Sequence, residues 1–495
     1  MQGNQKTLES FAEKDRAEPE GYREEAVSIP VAQSVEEVTY GNLIDAVLED
    51  DNIDRALKKV VGNRGSPGID GMSVDELESW LETNRRNLKD AIRSGEYVPT
   101  PVRRKEIPKP NGGVRNLGIP TVKDRLVQQM IAQVLEPIYD PTFSESSYGF
   151  RPGRSAQDAI MKVGEYYGEG YTVAVGLDLE KFFDTLNQRY LMNVLRERIK
   201  DKVLIQLIKR FLRAGVVMPD GITQATPKGS PQGGPLSPLL SNIYLDKFDK
   251  ELESRGLHFC RYADDSLILV KSRRSAERVC QTVTRYLEEE LLLKVNREKT
   301  EIGSPKELKF LGFKLSRRKD GVGFIPHRSS IAKFKKRVRE MTKRNRGISL
   351  GRMLAELGSY MKGWMGYFGM TTSGRLLEDL DGWVRRRVRQ YIFKQWKRPY
   401  TRFTNLYNLC PPYMAILQTG EPSKDWERYC WNAAMMESYW KAAGSTTVER
   451  ALSNSWLSER GMYFLSDDWE RTKERCFNRR VGAPTHGGVR GRTVN

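Results

Sequence analysis

The chain reads as an α+β protein: an antiparallel sheet carried with helices, then a helical portion, then a small C-terminal region. Three observations predict this. In LHFCRYADDSLILV (257–270), apolar strand formers flank two adjacent aspartates, the pattern of strand, tight turn, strand. In YTVAVGLDLEKFFDTL (171–186), Val173, Val175 and Leu177 alternate as in a half-buried strand that stops at Asp178. From Pro326 onward the composition changes to helical periodicity with long basic runs.

At 495 residues the chain has room for two to four domains. Its 82 Lys+Arg against 64 Asp+Glu, a formal charge of +18, favour an anionic partner, either nucleic acid or a membrane surface. No apolar run approaches the length of a membrane span, which weakens the membrane option. The N-terminus lacks a basic-then-apolar signal pattern. Cys260, Cys280, Cys410, Cys430 and Cys476 are too widely spaced for a CxxC metal knuckle and suggest no disulfide framework. A reducing cytoplasm is the expected location.

Residues 1–40 carry nine acidic and four basic residues with no clear period, as expected of a flexible acidic extension. From Asn42 the pattern is helical to about Asn63, and Ser73 with Glu76 forms a capping box ahead of the next helix. Residues 101–120 predict two strands joined by a Pro-Gly turn at 109–113. After a further helix, FSESSYGFRPGRS interleaves Tyr148 and Phe150 with Arg151 and Arg154, a pattern suited to stacking bases and meeting phosphates. Two helices over 191–214 precede PKGSPQGGPLSPLLSNIYLD (227–246), a Gly/Pro loop that opens an apolar helix and can present backbone N–H groups to an anion. A helix over 276–290 leads to a strand and turn, then to LKFLGFKL with a turn at Gly312. The segments 333–346 and 385–398 hold eight and seven basic residues, with Tyr391, Phe393 and Trp396 interleaved in the second. Beyond 416 come five tryptophans and a basic, glycine-bearing tail.

Carboxylates at two neighbouring strand ends suit hard cations. Mg²⁺ takes oxygen ligands, usually one or two carboxylates plus substrate phosphates. Two such ions clamp the attacking and leaving oxygens of a phosphoryl transfer. Asp178, Asp264 and Asp265 are the candidate ligands, with Asp265 the one most open to a supporting role because strand neighbours point to opposite faces.

FCRYADDSLILV resembles the YxDD box of reverse transcriptases, and GLDLEKFFDTL resembles the partner motif of their palm. With SPQGGPLSPLL between them, the chain from about Asn42 onward is similar to the reverse transcriptase/maturases encoded by group II introns. That resemblance implies a right-hand polymerase with fingers and palm over 41–325, a helical thumb or maturase domain over 326–415, and a basic DNA-binding region over 416–495 without an HNH endonuclease. It implies RNA-directed DNA polymerase activity with two Mg²⁺ ions and dNTP substrates. Asp178, Asp264 and Asp265 would be catalytic. Lys109 and Arg115 would grip the triphosphate, Gln232 would line the nucleotide pocket, and Phe183 would pack under the sugar and exclude a 2′-OH. Lys299 is either a proton donor to pyrophosphate or an ordinary solvated lysine. Arg151 and Arg154 would contact template, and Gly312 would shape the turn that presses on the primer. Lys335, Lys336, Arg337, Arg385, Arg386 and Arg387 would bind duplex and intron RNA through backbone shape and charge. The implied partners are a group II intron RNA, an RNA template with a DNA primer, and target DNA, in splicing and in target-primed mobility. Monomer and dimer are both open. Two other readings stand beside this one: a reverse transcriptase serving the host in defence or repair, and an RNA-binding splicing factor with little polymerase activity. An intact YADD box with Asp178, Phe183 and Gln232 opposes the second.

Overall fold

The structure is a computed structural model that describes residues 39–108, 114–230, 233–318, 321–409 and 424–471. The acidic extension, the 109–113 turn with Lys109, Gln232, and the C-terminal tail lie outside the described residues. The chain divides into two compact units, one ending at Leu311 and one beginning at Gly312.

The first unit begins with three helices, α1 (Leu43–Val47), α2 (Asp50–Gly62) and α3 (Leu77–Arg93). The capping box forms as the sequence suggests, with the Ser73 amide donating to Glu76 Oε2 at 2.7 Å. Strands β1 (Val102–Pro108) and β2 (Val114–Ile119) pair antiparallel, with Arg103 opposite Ile119. Two further strands, β4 (Val216–Val217) and β5 (Thr223–Gln224), extend that sheet in the order β2-β1-β4-β5. They are two residues each, too short to show any periodicity in the sequence.

The second sheet of this unit carries the acidic residues. It consists of β3 (Val173–Leu177), β6 (His258–Tyr262), β7 (Asp265–Val270) and β8 (Glu301–Gly303), in the order β6-β7-β3-β8 and antiparallel throughout. Every β7 residue after Asp265 is buried, so the continuous apolar run in the sequence reflects a strand covered on both faces. Val175, Leu177, Phe259 and Ile268 share one core with Ile243, Tyr244 and Phe248 of α9 (Ser237–Ser254) and with Val283 and Leu287 of α10 (Arg273–Glu289). The remaining helices of the unit are α4 (Val122–Tyr139), α5 (Ala156–Gly168), the short α6 (Phe182–Thr185), α7 (Gln188–Arg198) and α8 (Lys202–Leu212).

The second unit opens with the hairpin β9 (Phe313–Arg318) and β10 (Gly321–Pro326), followed by α11 (Arg328–Met341), α12 (Leu350–Phe368), α13 (Gly374–Gln395) and α14 (Pro399–Asn408). The expected boundary at 325/326 therefore moves to Gly312. The hairpin is tied to the helices that follow it: Thr372 N donates to Phe324 O at 2.8 Å, and Phe324 N donates to Thr372 Oγ1 at 3.0 Å. The described part of 416–495 does not stand apart either. Trp426, Cys430, Leu457, Phe464 and Leu465 enter the same core as Val384, Val388 and Ile392 of α13. Short helices cannot bury enough apolar surface alone, and these complete a core that α11 to α13 leave open. No helix among the described residues is long and apolar enough to cross a membrane.

Phe334 of α11 is fully buried between Tyr360 and Trp364, with ring centroids 5.8 and 4.9 Å away. Phe334→Ala is expected to destabilise this unit by about 3–5 kcal/mol, the usual cost of truncating a core aromatic. Urea unfolding followed by tryptophan fluorescence checks this, and a loss below about 1 kcal/mol would mean the core closes over the gap.

Candidate active site

The acidic residues meet because of strand register. Leu177 is paired with Ser266, so Asp178 leaves the end of β3 beside the start of β7, where Asp265 stands. Tyr262 pairs with Asp265 across a two-residue turn made of Ala263 and Asp264. Asp178 and the adjacent pair Asp264 and Asp265, far apart in sequence, thus come to one edge of the sheet. The Asp178 carbonyl accepts a 2.8 Å hydrogen bond from Asn296 N, and the bridge between Leu179 and Val295 continues that pairing.

Charge within the cluster is poorly compensated. Partial burial raises the Asp264 carboxyl above the usual carboxylate range, and the Asp178 charge adds to the effect, whereas Arg115 and Lys299 oppose it. Asp265 is reachable by solvent yet crowded by surrounding protein. That crowding, with the charges of Asp264 and Asp178, pushes it up to about 6 against the pull of Lys309 and Lys299. Lys299 forms a 3.0 Å ion pair with Asp178, so it faces the cluster and is more than a solvated lysine. Arg115, on β2, is near enough for its charge to act on Asp264.

Phe183 is buried on α6, edge-to-face with Phe182 at 5.3 Å. Its carbonyl accepts from Ser230 N at 2.7 Å, and Gly229 N donates to Leu186 O at 2.8 Å, so the Gly/Pro loop docks on the turn that carries Phe183. Gly229 has φ +82°, and a Cβ there would lie 2.6 Å from the Phe183 carbonyl oxygen, so glycine is required. Gly312 has φ +82° as well, and its carbonyl accepts from His327 N and Ser330 Oγ, both at 2.8 Å.

Several of the expected nucleic-acid contacts have partners within the protein. Arg151 is buried: Nε donates to Asp140 Oδ1 at 2.7 Å, Nη2 to Asp140 O at 2.8 Å, and Nη1 to Ser144 O at 2.6 Å and Ser147 O at 3.1 Å. It organises the 140–151 loop and faces no open surface. Tyr148 is buried too, whereas Phe150 remains 48% exposed, its ring 6.4 Å from that of Tyr262. Arg154 is held by Glu145 through a 2.6 Å ion pair. On α13, Arg386 donates to Trp440 O at 2.9 Å with its guanidinium over the Trp440 ring, and Arg387 donates to Thr342 Oγ1 at 3.0 Å. Arg385 stands over the Phe464 ring at 6.0 Å, and Tyr391 and Phe393 are buried. Arg386 and Arg387 of this basic run thus bond other parts of the helical unit. Lys336 and Arg337 of α11 are exposed, and Lys335 is half-buried over the Trp383 ring.

Sequence reading missed the residues behind the YADD turn. Arg261 is fully buried, and its guanidinium contacts Asp249, Asn242, Ser147 and the Ala263 carbonyl. An arginine inside an apolar strand is the one signal the sequence offers.

Among the described residues, no three His, Cys, Asp or Glu side chains converge closely enough to form a finished metal site. The donor chemistry nonetheless fits a hard cation: these are oxygen donors, and the Asp178 charge raises the proton affinity of Asp264 and Asp265 in a way a divalent ion would relieve. Asp178, Asp264 and Asp265 are the residues that would hold it.

Comparison with known proteins decides the family. Residues 107–315 match the reverse transcriptase (RNA-dependent DNA polymerase) family, and residues 331–409 match the group II intron maturase-specific domain. Protein YkfC of Escherichia coli (strain K12) is 33% identical over 339 residues, covering 60% of this chain and 88% of its own length. The group II intron-encoded protein LtrA of Lactococcus lactis subsp. cremoris is 33% identical over 244 residues, covering 49% of this chain and 40% of its own. This chain belongs to the group II intron reverse transcriptase/maturase family. It carries an RNA-directed DNA polymerase domain, whose reaction is divalent-metal-dependent transfer of nucleotides from dNTPs. The polymerase match contains all three aspartates, and the maturase match runs from within α11 through α14. Among solved structures, a chain of the partial Cas6-RT-Cas1–Cas2 complex is 27% identical, covers 50% of this chain and 43% of its own, and superposes with a TM-score of 0.33.

Because Arg151 is built into its loop, Arg151→Ala is expected to lower stability by about 1–3 kcal/mol, the cost of leaving the buried Ser144 and Ser147 carbonyls without their donor. Template affinity of the folded fraction should change less than twofold by filter binding. A large affinity loss with unchanged melting would return Arg151 to the template surface.

Proposed function

We propose that the chain copies RNA into DNA at the Asp178–Asp264–Asp265 cluster and binds its group II intron RNA to promote splicing and target-primed mobility. The observation that carries the polymerase reading is the register of β3 against β7, which brings carboxylates from two strands and a turn to one sheet edge. Two Mg²⁺ ions held there would supply activation of the primer 3′-hydroxyl and charge balance for the triphosphate and its leaving group.

The protein's own groups provide the rest. Asp178 and Asp264 supply oxygen ligands from a rigid strand end and a tight turn, and Asp265 adds a third. Arg115 offers a planar fork to phosphate oxygens. Lys299, already at Asp178, is the proton donor placed to neutralise departing pyrophosphate. Phe183 has bulk and little freedom to move, since its backbone is bound by the Gly/Pro loop, and so it selects deoxynucleotides by volume. Lys109 and Gln232, the other two nucleotide contacts, complete this pocket in the proposal. The maturase function rests on charge and on the matched maturase-specific domain. Exposed Lys336 and Arg337, with Lys335 beside them, would meet RNA backbone phosphates, and the basic C-terminal region would meet target DNA.

Asp264→Ala is expected to abolish primer extension on an RNA template while leaving binding of that template unchanged. Residual extension within tenfold of the parent would refute the assignment. Replacing Lys335, Lys336 and Arg337 together with Gln should weaken intron RNA binding and flatten the dependence of log K on log salt by about one for each phosphate no longer neutralised. An unchanged slope would remove α11 from the RNA surface. Sequencing RNA that co-purifies with the natively flanked protein tests the partner: one structured intron RNA is expected, and a short dedicated non-intron RNA would move the biology to a host role.

A further inference from the structure

The YADD turn has an unusual backbone. Ala263, its first central residue, has φ +57°, whereas Asp264 after it does not share the positive sign. A two-residue hairpin turn with positive φ only at the first central position is the kind that normally takes glycine there. Alanine holds that conformation only where its surroundings impose it.

Those surroundings are on three separate elements. Arg261 of β6 is fully buried and all five of its guanidinium N–H positions have partners. Nε donates to Asp249 Oδ1 at 2.7 Å, and Nη2 donates to Asp249 Oδ2 at 2.5 Å and to Ser147 Oγ at 2.8 Å. Nη1 donates to Asn242 Oδ1 and to the Ala263 carbonyl, both at 3.0 Å. Asn242 in turn donates from Nδ2 to Gly149 O at 2.8 Å. Gly149 lies directly against the turn: a Cβ there would collide with Ala263 N and sit 2.9 Å from the Tyr262 carbonyl carbon. The backbone is pinned as well, with Tyr148 N donating to Arg261 O and Arg261 N to Ser146 O, both at 2.8 Å.

We propose that Arg261 is a positioning residue for the polymerase reaction: its guanidinium, anchored on Asp249 of α9, holds the Ala263 carbonyl and fixes Asp264 and Asp265 relative to Asp178. The inference rests on the reading that these three carboxylates carry the chemistry. Four of the five guanidinium bonds face the rigid side, α9 and the 146–149 segment, and the fifth reaches the catalytic turn. A lysine keeps the charge but not the planar fork, so it can satisfy Asp249 without reaching the other partners together. The same clamp ties the loop bearing exposed Phe150 to the turn, so the surface beside Tyr262 and the carboxylate cluster move as one body.

The test compares Arg261→Lys and Gly149→Ala with the parent, and runs Asp264→Ala alongside. The second variant pushes on the turn without touching the buried ion pair. The full chain is assayed for primer extension at saturating template–primer, with kcat, KM for dNTP and the half-saturating Mg²⁺ concentration measured separately, together with Tm and template affinity. Displacing reacting groups by about 1 Å costs about a hundredfold. Both variants should therefore lose kcat on that scale and need several-fold more Mg²⁺, with template affinity within about twofold and a cooperative melt retained. Lowered Tm with kcat and Mg²⁺ dependence unchanged would overturn the proposal and leave the pair a purely structural one, as would variants that merely fail to fold. If Asp264→Ala keeps full activity, it is the carboxylate reading that fails. If Asp264→Ala is inactive while both other variants match the parent, the positioning role alone is lost.

Discussion

The buried fork of Arg261 on Asp249 is the interaction on which the active end of the first unit depends. Both side chains are wholly removed from water, which pushes the Asp249 carboxyl up to about 6 against the pull of the guanidinium. A buried ion pair is costly unless its remaining donors and acceptors are satisfied, and it contributes more to uniqueness than to net stability. Here every guanidinium hydrogen has a place, and the places lie on α9, on the 146–149 segment and on the turn itself. The pair therefore links three stretches of chain that lie apart in sequence, and the carboxylate turn is one of them.

A second constraint is the crowding of negative charge at that turn. Asp264 and Asp265 are both held above the ordinary carboxylate range, first by burial and then by the Asp178 charge, with the Asp264 charge adding to the effect on Asp265; Lys299 opposes both, Arg115 opposes it at Asp264 and Lys309 at Asp265. A cluster of this kind is unfavourable in isolation and becomes favourable when a divalent ion or a metal-bound triphosphate arrives. Strand register makes the cluster possible, since shifting β3 against β7 by one residue would turn Asp178 away from the turn.

Basic charge has two uses in the second unit, and composition alone does not separate them. On α11, Lys336 and Arg337 point outward. On α13, arginines of the same density cross the core boundary: Arg386 stacks on Trp440, Arg387 caps Thr342 and Arg389 reaches Leu452 O and Glu449. Arginine can do this because its stem packs with apolar side chains while its plane stacks on rings or bridges carbonyls. The aromatic residues that follow them, Tyr391 and Phe393, are part of the core.

Local pattern in the sequence determined the sheet that carries the aspartates, the hairpins over 101–120 and 257–270, and the capping box at Ser73. Alternation, turn residues and caps act over a few positions, and the chain spells them out. It also determined the helical character of the region beyond Pro326. Tertiary structure alone decided which charged residues are free to meet a ligand. Arg151, Arg386 and Arg387 look like nucleic-acid contacts in the sequence, and in the fold they bond protein partners; Arg261 looks like one more strand residue, and in the fold it donates to the Ala263 carbonyl of the carboxylate turn. Burial and partnership of an arginine depend on residues a hundred positions away, such as Ser147 for Arg261, and no local period records such a meeting. The boundary between the units follows the same logic, because the 313–326 hairpin belongs wherever its edge finds hydrogen-bond partners, and those lie at Thr372.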